Sequence, residues 1–235
     1  MTKPDKQITA WKTFIVWATI PSTIEWLQRE RKFAESIDSP YQTLHRGINS
    51  TIVLLSATCI DGFLAECLQA FAGRLHLKDT FNCRLNLDYI ERVSAASYKG
   101  KTELFCVPLG KSLDELLKNQ QVNEQVKTLF IFRNGLAHGR SAEYRSYSEN
   151  YSGKREFEAH GKYKTVEEYL GKRKLISKND TGRQDLFSDQ IADHFASLVE
   201  PYIRCVVSVL PKEQSQTMSR LVEIAFCKKP KFNNK

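Results

Sequence analysis

The stretch LHRGINSTIVLLSATCIDGFLAECLQAFAGRL, residues 44–75, constrains the fold more than any other part of this chain. Ile48, Ile52, Leu55, Cys59 and Phe63 recur at three- and four-residue steps, and Leu64, Cys67, Leu68 and Phe71 widen the stripe. On a helix that turns every 3.6 residues, this spacing gathers the apolar groups on one broad side. A helix this long and this apolar must be enclosed by others, so it is the expected core helix of an all-α fold. Its longest uninterrupted apolar run, Ile52-Val53-Leu54-Leu55, falls far short of the ~20 residues that span a bilayer. No membrane is expected as a partner.

Further helices are legible around it. Residues 21–37 open with Pro21 and a Ser22-x-x-Glu25 pattern, and Ser112-x-x-Glu115 and Thr165-x-x-Glu168 repeat that pattern. In such a capping box the hydroxyl and the carboxylate each satisfy a backbone N–H that the first helical turn leaves open. A helix is expected over 87–96, then an irregular stretch containing Gly100, Pro108 and Gly110. The next helix runs over 119–137, with Val122, Val126, Leu129 and Phe130 turned inward. The segment DLFSDQIADHFASLVEPYIRCVVSVL carries Pro201 in its interior and should kink or break there, because proline lacks the N–H of the helix ladder. A last short helix is expected over 214–226. The two longest apolar stripes, 44–72 and 119–137, should pack on each other.

Residues 140–163 differ in kind: they have no helical period and are rich in Tyr, Ser, Arg and Lys. The alternations 143–147 and 155–158, on either side of Ser152-Gly153, suit a short β-hairpin, and otherwise a long polar loop. At 235 residues, 41% hydrophobic and 26% charged, the chain suits one substantial core without a linker. The expected organisation is a single domain over 1–235, with its core at about 40–210, the 140–163 insertion and a basic tail at 228–235. Nothing near Met1 resembles a signal peptide, so a cytoplasmic location is expected. The six cysteines include no C-x-x-C pair. Cys59 and Cys67 read as small buried hydrophobes on one helix face, and no metal or cofactor is expected. The net charge of +8 and pI near 9.1 favour polyanionic partners, although a solvated basic surface accounts for them equally.

The stretch FRNGLAHGRS, 132–141, ends the second long helix. One reading is an ordinary helix terminus, with Arg and His favoured by the dipole and Asn and Gly as stop residues. The other reading is chemical. Asn134 and His138 lie four apart on one helix face. Arg133 sits about 140° round from His138, at ~100° per residue, and has the length to reach past the end. An imidazole moves a proton near neutral pH, and a guanidinium grips a phosphate with two parallel N–H bonds. An amide can orient either group. Together the three suffice for RNA cleavage without a metal, because RNA supplies its own 2′-hydroxyl nucleophile.

Arg133-Asn134-x-x-x-His138 followed by Gly139, at the end of a long helix in an otherwise helical chain, resembles the R-x(4–6)-H motif of the HEPN superfamily (higher eukaryotes and prokaryotes nucleotide-binding domains). The resemblance implies a helical bundle in which Arg133, Asn134 and His138 form the active-site set. It also implies a homodimer with two motifs facing each other and, in many members, metal-independent endoribonuclease activity in toxin–antitoxin or phage-defence systems. An antitoxin or defence protein is then a possible partner beside the RNA substrate. Arg140 stands where members paired with a nucleotidyltransferase carry a tyrosine. The alternatives are a catalytically silent HEPN module that binds nucleotide, RNA or protein, and a helical scaffold in which Arg133 and His138 only end a helix.

Other residues carry weaker signals. Asp61 lies beside the small residues Ala57 and Ala65, where it would either orient Arg133 or His138 or hold a structural hydrogen bond. His45, His76 and His194 read as structural histidines, and His160 as solvent-exposed. Tyr144, Tyr147 and Tyr151 interleave with Arg140, Arg145, Lys154 and Arg155, a mixture suited either to single-stranded RNA or to a surface loop packed on a dimer partner.

Overall fold

A computed structural model describes residues 16–37, 43–75, 89, 91–137, 144–148, 155–159, 162–176 and 186–227. The fold is all-α. A 3₁₀ turn, Val16–Thr19, leads into α1 (Ile20–Ile37), and α2 (Thr43–Leu75) follows. After a helical turn at 91–95 come α3 (Tyr98–Leu104), α4 (Cys106–Leu109), α5 (Leu113–Leu116) and α6 (Gln121–Ala137). Strands β1 (Tyr144–Ser148) and β2 (Arg155–Ala159) precede α7 (Lys162–Lys172), α8 (Asp189–Ser197), α9 (Val199–Val209) and α10 (Lys212–Phe226).

The centre is α2. It packs against the 3₁₀ turn, α1, α3, α6, α8, α9 and α10, and Ile52, Ala57, Cys59, Ile60, Phe63, Leu64 and Leu68 are each fully buried along it. A helix buried on nearly all sides needs apolar groups on nearly all sides, which is what 44–75 carries. The residues 44–72 and 119–137 pack on one another as their stripes require. By length and composition alone, Leu44–Phe71 is apolar enough to cross a membrane. Its apolar residues are spread along the helix rather than gathered in one run, so counting unbroken runs does not register it. Just over half of the most apolar window is buried by the surrounding helices.

Several boundaries move. Ser22 and Glu25 lie inside α1, which begins at Ile20 because the 3₁₀ turn feeds straight into it. Thr165 likewise lies inside α7. Only Ser112 and Glu115 form the capping box: the Ser112 hydroxyl accepts from the Glu115 N–H at 3.2 Å, and Glu115 Oε2 accepts from the Ser112 N–H at 3.0 Å. The stretch around Gly100 and Pro108 is helical rather than irregular. Gly100 lies within α3, and Gly110 closes α4 with φ of 73°, a left-handed conformation that costs glycine little. The closing segment breaks at Leu198, three residues before Pro201. The proline removes the N–H that would have bonded the Ser197 carbonyl and crowds that carbonyl.

The 140–163 insertion takes its hairpin form over the described residues: β1 and β2 pair antiparallel, with Tyr144 opposite Ala159 and Ser148 opposite Arg155. Ser152 and Gly153, with the 228–235 tail, lie outside the described residues. Cys59 and Cys67 are buried as expected. Burial pushes the Cys59 thiol up to about 12 and that of Cys67 well up, the Glu66 charge adding to the effect, so both are inert at neutral pH.

Candidate functional site

Arg133 and Asn134 stand on α6, and the chain places them by what it buries next to them. Phe132 is 1% exposed. Its ring meets Tyr163 of α7 edge-on at 6.2 Å, Phe187 at 6.2 Å and Phe195 of α8 at 5.8 Å. This anchor fixes the rotation of α6, and Arg133, ~100° round the helix, is turned to a half-buried position.

Gly135 fixes the other side. It is buried, and a β-carbon there would come within 2.8 Å of both Cζ and the hydroxyl oxygen of Tyr163. The glycine is therefore required by the approach of α7, and it does not stop the helix. Asn134 and Gly135 both lie within α6, which continues through Ala137. That removes Asn134 as a stop residue, while Gly139, the glycine expected just past the helix end, is not among the described residues. His138, Gly139 and Arg140 lie outside the described residues.

The Arg133 guanidinium turns back along its own helix: Nη1 donates to Asn134 Oδ1 at 3.0 Å. Among the described residues no carboxylate stands within ion-pair distance of Arg133, and no helix carbonyl takes its N–H groups. Asn134 thus orients the arginine and keeps its own NH₂ donors for another acceptor. Asp61 is not part of this arrangement. Its Oδ2 accepts from Lys101 Nζ of α3 at 2.7 Å, and the Lys101 side chain is 6% exposed. A buried ammonium needs that carboxylate as its counter-charge, so Asp61 serves the α2–α3 contact.

A second polar cluster escapes the sequence reading. Arg31 of α1, 7% exposed, has Nε 3.0 Å from Asp189 Oδ2 and Nη2 2.9 Å from Asp193 Oδ2. Its Nη1 donates to Asn49 Oδ1 at 3.1 Å. His45 Nε2 lies 2.9 Å from Asp189 Oδ1. Asn49 Nδ2 donates to that same oxygen at 3.0 Å and to the Phe187 carbonyl at 2.7 Å, while Gln28 Nε2 donates to Asp193 Oδ1 at 2.7 Å. The cluster ties α1, α2 and the start of α8 together. Its signal was present: Ile20, Ile24, Leu27 and Arg31 share the core-facing side of α1, and a cation on such a stripe demands an acid.

His194 has a structural place too. Its Nε2 lies 2.7 Å from the Tyr169 hydroxyl, and Arg173 stacks over the Tyr169 ring at 4.2 Å. Burial, then the Arg173 charge, hold the imidazole below its ordinary value. His76, His160 and Tyr151 lie outside the described residues, and Tyr144 and Tyr147 fall on β1. Among the described residues no group of three or more His, Cys, Asp or Glu is placed to hold a metal. No family model matches the chain, and neither a curated protein nor a solved structure does.

Proposed function

We propose that this protein is a metal-independent endoribonuclease of the HEPN type, acting in the cytoplasm as part of a bacterial toxin–antitoxin or phage-defence system. The observation that carries the reading is the state of Arg133. A half-buried guanidinium held by an amide from its own helix, with no carboxylate on it among the described residues, is a positive charge left available for an anion.

On this reading an RNA phosphate takes the N–H groups that Asn134 leaves open on Arg133. His138 accepts the proton of the ribose 2′-hydroxyl as that oxygen attacks the adjacent phosphorus, or returns a proton to the departing 5′-oxygen. Arg133 stabilises the charge that builds on the phosphorane oxygens. The P–O5′ bond breaks, leaving a 2′,3′-cyclic phosphate and a 5′-hydroxyl. A two-fold dimer that brings both His138 side chains to one cleft would double the few groups available.

The test incubates purified protein with single-stranded and structured RNA in EDTA and examines the product ends. Cyclic phosphates are expected from the wild type, and DNA, lacking the 2′-hydroxyl, should resist. His138→Ala should lose ~10²–10⁴ in rate and Arg133→Ala about 10²–10³, with Asn134→Ala milder. Cleavage that persists in both alanine variants defeats the assignment. No cleavage from any form leaves the silent module, binding RNA or nucleotide through Arg133, as the better account.

A further inference from the structure

Three consecutive cations, Lys172, Arg173 and Lys174, close helix α7. The Lys174 N–H donates to the Gly171 carbonyl at 3.0 Å, and the Leu175 N–H reaches back to the Leu170 carbonyl at 3.0 Å. Such a closure takes a left-handed residue at its turning point, and Lys174 supplies it with φ of 58°. Glycine adopts that conformation without crowding a β-carbon. Among the described residues Lys174 is the one non-glycine with positive φ. The helix dipole favours a cation near this end, but Lys172 and Arg173 already supply it. Backbone strain of this kind collects at binding sites, and the Lys174 side chain is exposed to solvent.

Arg173 beside it is half-buried. Its guanidinium carbon lies 4.2 Å over the Tyr169 ring, and the Tyr169 hydroxyl lies 2.7 Å from His194 Nε2. Asp193, next to His194 in sequence, is taken up by Arg31 and Gln28. Among the described residues no carboxylate pairs with Arg173. An aromatic ring holds a guanidinium while leaving most of its five N–H donors open to an oxyanion. Phe132, the residue before Arg133, and Tyr169 both lie against Phe195, with ring centroids at 5.8 and 6.3 Å. The Phe132 and Tyr169 rings are therefore no more than about 12 Å apart. Two arginines that no described carboxylate neutralises thus border one aromatic wall. A strand can reach both at once, and each contact then strengthens the other. We propose that Arg173 and Lys174 hold a backbone phosphate of the same RNA strand whose scissile phosphate Arg133 takes. The identity of the polyanion rests on the proposed nuclease reading, whereas the phosphate contact rests on α7 alone.

The experiment follows a short fluorescein-labelled RNA oligonucleotide, made uncleavable by methylation of every 2′-oxygen, by anisotropy across a salt series. Circular dichroism confirms that each variant keeps its helix content. The wild type should bind, more weakly as salt rises. Arg173→Gln should weaken binding roughly tenfold and make the logarithmic salt slope shallower by about 0.7. Lys174→Gly should weaken it about threefold, yet unfold at no lower urea concentration than the wild type, because glycine relieves the strain. The His194 ring, followed by NMR, gives a separate readout. The Arg173 charge helps to hold that imidazole below its ordinary value, so a phosphate on Arg173 should raise its titration midpoint in the complex. A wild type that binds no oligonucleotide, or variants that bind as the wild type does, overturn the proposal. A mononucleotide that raises the midpoint as far as the oligonucleotide does also overturns it, and makes this a small-nucleotide site. Binding that needs Arg173 in a protein that cleaves no natural RNA defeats the nuclease reading and leaves this contact standing. Cleavage by a protein whose oligonucleotide binding ignores Arg173 does the reverse.

Discussion

Arg31 and Arg133 present the same guanidinium on two helices that both pack against α2, and the fold treats them in opposite ways. Arg31 is sealed in and met by two carboxylates and an amide. Among the described residues, Arg133, half-buried, is met only by the amide of the next residue. A buried cation must be matched by acid or the fold is lost, so the surroundings of Arg31 record a stability requirement. A half-exposed cation whose partners are left incomplete records no such requirement. The difference separates an arginine that the fold needs from one that the fold leaves over.

The comparison breaks most easily at Asp189. Replacing it with Ala leaves Arg31, His45 and Asn49 short of an acceptor at once. Removing one partner of a buried ion pair costs 3–5 kcal/mol; Asp189 is 42% exposed, which places the expected loss near the low end, about 3 kcal/mol. Arg133→Ala removes no acid's partner among the described residues and should change stability by within about 0.5 kcal/mol. Urea unfolding of both variants decides. Equal losses would make Arg133 a structural cation and withdraw the argument for its availability.

How much of this was legible follows from which forces act locally. The apolar period of 44–75 and of 119–137, the Ser112–Glu115 cap and the break before Pro201 depend on near neighbours in sequence, and each is found in the structure. Ser22 and Thr165 failed as caps because residues upstream continued the helix, and nothing within a capping pattern reports that. The Arg31 cluster joins residues 18 and 162 positions apart, so periodicity marked the need for an acid without naming Asp189 or Asp193. Asp61 took the structural bond that the sequence left open as one of two readings, but its partner Lys101, on another helix, could not be named from the pattern. Arg133 and Asn134 could be singled out from their spacing alone. Their mutual bond and the role of Gly135 required the position of α7.

Gly135 sharpens the contrast from inside the motif. A methyl group there meets the Tyr163 ring and hydroxyl at 2.8 Å, and Tyr163 is buried, so its ring must swing aside against its neighbours or the α6–α7 contact must open. Overpacking of this kind costs typically 1–3 kcal/mol, and Gly135→Ala should lose about 2 kcal/mol. Under the proposed function, cleavage should also fall more steeply than stability does, because an opened α6–α7 contact misplaces Arg133. Pairing Gly135→Ala with Tyr163→Leu, which clears the ring, should recover much of both. Failure of that pair to recover stability would mean that Gly135 is needed for its backbone and not for its clearance.

The smallest effect expected is a pH dependence from His194, a third treatment of a nitrogen base: half-buried, and met by a hydroxyl rather than an acid. Its imidazole is held below the ordinary value, first by burial and then by the Arg173 charge. The folded protein therefore keeps His194 neutral where the unfolded chain already binds a proton. Above the unfolded value of 6.5 both states are neutral, and the site adds no pH dependence. As pH falls through that value, the unfolded state takes up the proton first and stability declines, levelling only once the folded form protonates as well. Arg173→Met removes the second cause and should shrink the decline between pH 7 and pH 5 in urea unfolding. It should also raise the titration midpoint of the His194 ring followed by NMR. A midpoint in the wild type at or above 6.5 would show instead that the Tyr169 oxygen accepts from a protonated ring, and the decline should then be absent.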